Sequence, residues 1–356
     1  MTADEEIRKR VLNWYRRKGR DLPWRRTRDP YHIWISEVML QQTQVETVIP
    51  YYHRFLAAFP DVAALAAASQ AAVLKHWEGL GYYARARNLH RAAGVVMAQY
   101  GGRIPAEWEA FRALPGVGDY IAAAVLSIAF GSLYAVVDGN VKRVLARLLC
   151  IELPVNVQKH HAAYQRHADK LIDPAAPSDF NQALMEIGAL ICRPTKPRCP
   201  DCPLNEACGA LARDRVDALP RRQARAKVPV RQLAIAVVRR RDKLLLTRRP
   251  EAGLLGGLWE FPNAIRQADE SAEAACRRLA AEQLGLEVRP PSPVTQVRHA
   301  YTHFKIQADV FLCEAPHGRV RLEGPTTFRW VAPAAIDRFA LPKAMHKLLP
   351  ALRRIL

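Results

Sequence analysis

A chain of 356 residues, half of them hydrophobic, is long enough to bury two ordinary cores and too apolar for general disorder. Lys and Arg total 53 against 34 Asp and Glu, a formal charge of +19, so a polyanion is the natural partner and its binding should depend steeply on salt. No apolar run approaches the roughly 20 residues needed to span a bilayer, and the chain opens on acids and bases rather than a signal sequence, which argues against a membrane protein and for a cytoplasmic one.

From Glu5 to about Leu149 apolar residues recur every three or four positions, and Gly, Pro or Asp punctuates the pattern; the first lobe is predicted to be mainly α. The clearest helices are expected over 33–48, 73–77, 84–100 and 120–130. Within the first, Glu37 stands in Trp34-Ile35-Ser36-Glu37-Val38-Met39-Leu40, followed by Gln41-Gln42-Thr43-Gln44. A lone Glu on an amphipathic helix is most often solvated. Buried here, its carboxyl would have a raised pKa and could donate a proton to a leaving group.

Leu80-Gly81-Tyr82-Tyr83 puts bulky residues on a glycine turn, suited either to core packing or to wedging into a base stack. Leu114-Pro115-Gly116-Val117-Gly118 joins a short predicted helix at 108–113 to the apolar helix near Tyr120. It reads equally as an ordinary helix–helix turn or as a hairpin whose glycines bring backbone N–H groups up to a phosphate without reading sequence. Asp138 precedes a predicted helix at 141–149 and is most simply its N-cap. Donors at a helix start would also keep its carboxylate ionised, as a stabiliser of developing positive charge must be.

Cys192, Cys199, Cys202 and Cys208 follow at spacing C-x6-C-x2-C-x5-C. Four soft thiolates on one short loop suit zinc or an iron–sulfur cluster. A single C-x2-C knuckle favours [4Fe–4S] over a zinc ribbon, and two disulfides are the remaining alternative. The loop also carries Arg193, Lys196 and Arg198, placed to meet a nucleic-acid backbone, whereas Cys150, Cys276 and Cys313 read as buried apolar residues. Residues 213–229 are rich in Arg and Lys, contain two prolines, and read as a basic linker between a domain at 1–212 and one at 230–356. Beyond it, strand-like runs at 233–238, 243–247, 307–312 and 327–331 and one helix at 273–284 predict an α+β lobe.

The hairpin, Asp138-Gly139-Asn140-Val141-Lys142-Arg143 and the cysteine spacing together resemble the helix–hairpin–helix DNA glycosylases of the endonuclease III superfamily that carry an iron–sulfur loop. Within that superfamily, residues 36–45 and Gly79-Leu80-Gly81-Tyr82-Tyr83-Ala84-Arg85-Ala86-Arg87-Asn88-Leu89 are similar to the adenine DNA glycosylases, the MutY family. The resemblance implies a mainly α glycosylase domain of two helical lobes with a [4Fe–4S] loop at 192–208, acting as a monomer on double-stranded DNA that bears adenine opposite 8-oxoguanine. By the family's pattern Glu37 protonates the extruded adenine at N7 and Asp138 stabilises the cationic sugar. Asn140 and Tyr120 orient the site, Arg20, Trp24 and Arg25 belong to the adenine pocket, and Gln42, Thr43, Leu80 and Tyr82 probe the lesion side. Gly116 and Gly118 would hold the backbone, and Cys192, Cys199, Cys202 and Cys208 the cluster. Bifunctional relatives carry a lysine at position 120; Tyr120 therefore implies a monofunctional glycosylase, with Lys142 left to trap an abasic product slowly.

The second lobe resembles the family's MutT-like domain of Nudix fold. Leu279 and Gln283 occupy positions where a working Nudix box has Glu, and Glu282 alone remains of its core acids, so nucleotide hydrolysis is not expected. Tyr301-Thr302-His303 resembles the family's Phe-Ser-His loop, which touches 8-oxoguanine, with Tyr for Phe and Thr for Ser. Two rival readings stand beside this one: an endonuclease III-like lyase on oxidised pyrimidines, and a non-catalytic DNA-binding module that uses its cluster as a redox sensor.

Overall fold

A computed structural model describes residues 2–224 and 228–356; within the basic stretch 213–229, residues 225–227 lie outside the described residues. The chain divides into two compact units, Met1–Ala66 with Arg91–Arg225 and Ala67–His90 with Ala226–Leu356. Among the described residues no helix is long and apolar enough to cross a membrane.

The first unit is helical. It opens on Ala3–Lys18, which Thr2 and Glu5 start with a reciprocal capping box. Asp29 caps the next long helix, Pro30–Leu40, by accepting from the N–H groups of Tyr31 and His32. Eight residues of that helix are buried, from Tyr31 to Met39, so it runs through the core rather than along its surface. The single helix expected over 33–48 is in fact two, Pro30–Leu40 and Val45–Ala58. Gln42 between them adopts φ 59, a left-handed conformation that no α-helix can continue through. Helices Asp119–Phe130, Gly139–Leu148 and Pro177–Leu190 pack around the same core.

Residues 213–223 read from composition as a solvated connection, yet their backbone is tied down. The Arg147 guanidinium donates to the carbonyls of Val216 and Leu219, Asn156 pairs with Gln223 through both its amide atoms, and Leu219 is buried. Their many charges point outward while the main chain follows the helical unit.

The C-terminal part of the second unit is a seven-stranded mixed sheet: β1 Val230–Arg240, β2 Lys243–Arg248, β3 Trp259–Glu260, β4 Asn263–Ile265, β5 Ser292–Ala300, β6 Lys305–Glu314 and β7 Thr327–Val331. Its path runs β3-β2-β1-β6-β5, with β4 beside β1 and β7 beside β2; only β1 and β6 pair in parallel, from Val230 opposite Lys305 to Arg239 opposite Glu314. The two-residue period of β1 sorts its side chains: Ile235 and Val237 meet the C-terminal helical residues Ala344 to Leu352, while Ala234, Ala236 and Val238 meet helix Ala272–Leu284. Three strands had no sequence signal. In β5 only Val297 is buried, so no apolar alternation marks it.

Leu279 is fully buried on the inner face of helix Ala272–Leu284, where it supports the sheet, and Glu282 is exposed and pairs with Arg278 at 3.3 Å. The position at which a Nudix box needs a metal-binding acid is here part of the hydrophobic core.

Candidate active site

A cavity of about 520 Å³ opens in the helical unit. Helix Pro30–Leu40 contributes Glu37 and Leu40, Asp119–Phe130 contributes Tyr120, Gly139–Leu148 with its cap contributes Asp138 and Asn140, and Pro177–Leu190 contributes Gln182, Met185 and Glu186. Arg20, Trp24, Arg25, Thr43 and Glu46 are among the other residues that line it.

Glu37 is only 3% exposed because its helix is buried on nearly every side. Its Oε2 accepts a hydrogen bond from the Tyr120 hydroxyl at 2.7 Å. Burial, reinforced by the charge of Asp138 and opposed by the Tyr120 hydroxyl, raises the carboxyl to about 7. Near neutrality it can both hold a proton and release it.

Asp138 is the N-cap of helix Gly139–Leu148; its Oδ1 accepts from the Val141 N–H at 2.7 Å and its Oδ2 from the Asn140 amide at 2.9 Å. The helix-start donors do not act alone on it: burial raises this carboxyl, against the N–H groups, the Asn140 amide and the Arg143 guanidinium. What distinguishes the pair is the number of opposing donors. At Asp138 several donors oppose burial; at Glu37 the Tyr120 hydroxyl and the charge of Arg25 do, while the charge of Asp138 raises Glu37 further.

Asn140 is itself held. Arg143, 5% exposed, donates to Asn140 Oδ1 and the Gly188 carbonyl, both at 2.8 Å, and to the Cys192 carbonyl at 2.6 Å. Gly188 lets the two helices approach: a Cβ there would stand 2.6 Å from the Asn140 Cβ.

Arg20 and Arg25 converge on Glu186, a residue that sequence reasoning missed. Arg20 grips it through Nε to Oε1 at 2.8 Å and Nη2 to Oε2 at 2.9 Å, and Arg25 adds Nη2 to Oε2 at 3.0 Å. Burial pulls the Glu186 carboxyl upward, but the two guanidinium groups hold it down at about 2. Its signal was a single acid within the otherwise apolar Ala183-Leu184-Met185-Glu186-Ile187, a setting that only a buried cation makes tolerable.

Gln42 is exposed at the turn before Val45 and does not line the cavity, whereas its neighbour Thr43 does. Gly116 needs its missing Cβ, with φ 79; Gly118 has ordinary backbone angles and caps helix Asp119–Phe130 without a side chain, leaving the first N–H groups open. Arg112 braces this hairpin by donating to the Val117 carbonyl and to Asp119. In the second unit Leu80 is 6% exposed and Tyr82 40%, so Tyr82 is the residue the turn presents. Tyr301 to Phe304 close the β5–β6 hairpin, with Thr302 and His303 exposed.

Cys192, Cys199, Cys202 and Cys208 line one small cavity, and all seven cysteines are free. Among the described residues no set of three or more metal-ligating side chains converges tightly enough for one ion. The Arg147 guanidinium, 3% exposed, donates to Cys192 Sγ at 3.4 Å, bringing buried positive charge to the thiols. Four thiols lining one space and flanked by a buried cation fit an anionic iron–sulfur cluster.

Two family models match the chain: the HhH-GPD superfamily of base excision DNA repair proteins over residues 35–171 and the NUDIX domain over residues 234–351. Along its length the chain is 35% identical to the adenine DNA glycosylase of Rattus norvegicus, covering 96% of this chain and 77% of that protein. It is likewise 35% identical to that of Homo sapiens, with 91% and 68% covered. A thermostable thymine-DNA glycosylase superposes with a TM-score of 0.55 at 34% identity, over 59% of this chain and 97% of that one. A trapped endonuclease III–DNA covalent intermediate superposes at 0.51 and 23% identity, over 60% and 99%, a likeness of fold.

Proposed function

This chain belongs to the adenine DNA glycosylase family, and on that footing we propose that it hydrolyses the N-glycosidic bond of adenine mispaired with 8-oxoguanine and leaves the strand intact. It is a DNA glycosylase of base excision repair with a helical HhH-GPD domain and a Nudix-like α+β domain. The observation that carries the finer reading is Glu37 and Asp138 in one cavity, with the Glu37 carboxyl raised by burial to about 7 and Asp138 held by the Val141 N–H and the Asn140 amide. With the adenosine extruded from the helix, Glu37 donates its proton to N7 and makes the base a neutral leaving group. Asp138 faces the sugar, and its negative charge favours the cation that develops there; water then adds at the anomeric carbon. Tyr120 offers a hydroxyl already committed to Glu37 and no amine, which supports hydrolysis without strand cleavage.

Four cysteines, 192, 199, 202 and 208, hold a [4Fe–4S] cluster in this reading, which the arrangement of the thiols and the buried Arg147 support. When bound there, the cluster would tie together the ends of the 192–208 loop. The C-terminal domain reads the lesion with Tyr301, Thr302 and His303 rather than hydrolysing nucleotides.

The decisive assay incubates the protein with a duplex bearing adenine opposite 8-oxoguanine and develops it with and without alkali. Adenine loss with breakage only after alkali is the expected result. Direct breakage points to a lyase, and binding without loss to a non-catalytic module. Gly188→Ala offers a further check: overpacking against Asn140 should cost about 1–3 kcal/mol in urea denaturation and slow base release by displacing the amide that orients Asp138. Wild-type rate and stability would show that the two helices can part there without consequence.

A further inference from the structure

The second unit grips the turn 79–83 at both ends. At its base stands Glu78, directly before Gly79-Leu80-Gly81-Tyr82. Glu78 Oε1 accepts from the Leu341 N–H at 2.7 Å and lies 2.9 Å from His346 Nε2, while Oε2 accepts from Lys75, whose ammonium also reaches the Phe339 carbonyl at 3.2 Å. Burial pulls the Glu78 carboxyl up, yet these donors hold it below its usual range. At the tip, the Tyr82 hydroxyl meets Thr302 Oγ1 at 2.7 Å.

Between these points the turn is wound tightly, with φ 92 at Gly79, 81 at Gly81 and 49 at Tyr82. A tyrosine keeps a left-handed backbone only where its surroundings impose it. The Gly81 carbonyl accepts from Trp77 Nε1 at 3.1 Å and Arg85 Nη2 at 3.2 Å, and the Arg85 guanidinium lies over the rings of both Trp77 and Tyr82. These contacts keep the turn wound. Attachment to the C-terminal residues comes from Glu78, through the Leu341 N–H and His346, and from the Tyr83 hydroxyl, which donates to the Leu341 carbonyl at 3.5 Å.

We propose that Glu78 and His346 are positioning residues for lesion recognition, anchoring the 79–83 turn to residues 339–346 so that Tyr82 and Thr302 engage DNA as one body. The proposal rests on 8-oxoguanine being the base read by Thr302. Its consequence is specific: loosening the anchor should impair recognition of the lesion and leave the chemical step, carried by Glu37 and Asp138, intact.

The test compares Glu78→Ala and His346→Leu with wild type, and His346→Gln as the variant that keeps an N–H donor. For a duplex with adenine opposite 8-oxoguanine, Kd should rise about tenfold in the first two, against less than about threefold for adenine opposite guanine. The single-turnover rate constant at saturating enzyme should stay within about twofold. A 2-aminopurine beside the 8-oxoguanine should brighten less on binding, and His346→Gln should restore both signals. Equal weakening on the two duplexes, or a fall in the saturated rate alongside the melting temperature, would overturn the proposal in favour of a merely structural pair. Hydrogen exchange of the free protein separates the anchor from the substrate: amides 79–83 should exchange faster in Glu78→Ala, and unchanged protection would overturn the anchoring whatever DNA the enzyme prefers. Anchored amides in a protein with no preference for the lesion would instead sink the 8-oxoguanine reading and the recognition role with it.

Discussion

Glu37→Gln is expected to bind mispaired DNA and release adenine roughly 100- to 10,000-fold more slowly than wild type, the span that a general acid supplies. The amide fits the same space beside Tyr120 but has no proton of suitable acidity to give. The pH profile supplies the sign. A proton donor works in its protonated form, and burial places this carboxyl at about 7, so the wild-type single-turnover rate should fall about tenfold per pH unit above that point. The same shift links to folding. Because the folded pKa lies above the ordinary value of 4.5, the stability this group contributes is complete below about 4.5 and is lost as pH rises through 7. Wild type should therefore lose stability relative to Glu37→Gln between pH 5 and pH 8. Substantial turnover by the variant, or a flat profile from pH 6 to 9, would remove Glu37 from the acid role.

Glu186→Ala should be the most destabilising single change in the cavity wall, by about 3–5 kcal/mol, with a fall in melting temperature on the order of 10 °C. Glu186 is fully buried and answers two cations, and Arg25 is itself only 13% exposed at the side chain. Removing the carboxylate takes the main counter-charge from both guanidinium groups, leaving Arg20 only the exposed Glu46 at 3.6 Å and Arg25 the Arg20 carbonyl at 3.0 Å. The pH dependence runs opposite to that of Glu37: a carboxyl held at about 2 stabilises the fold above its ordinary 4.5, and that contribution disappears as pH falls through 2. Wild-type and variant melting curves should therefore converge in acid. Circular dichroism melts at pH 7 and pH 3 measure this, and curves that differ equally at both would show that charge pairing is not the cause.

Both predictions concern groups whose environment could be only partly read along the chain. Trp34 to Leu40 is a largely apolar stretch, which raises burial of Glu37 as a possibility beside the commoner solvated reading. Asp138 before Gly139 and Asn140 announces a cap, and Gly116 announces the turn that requires it at φ 79. The cap and the glycine turn are local features: each follows from a few consecutive residues. The apolar run of β1 was legible for the same reason, whereas β5, with one buried residue, carried no pattern to find.

Composition, charge, the cysteine spacing, the helical texture of the first lobe and the missing acids at Leu279 and Gln283 were thus determined by the sequence itself. The tertiary structure decided the rest. It brought Glu186 to Arg20 and Arg25 across more than 160 residues, set Gly188 against Asn140, and grouped 67–90 with the C-terminal residues. It also showed that burial raises Asp138 as well as Glu37, because desolvation depends on every atom around a carboxyl and not on the few residues that flank it in the chain.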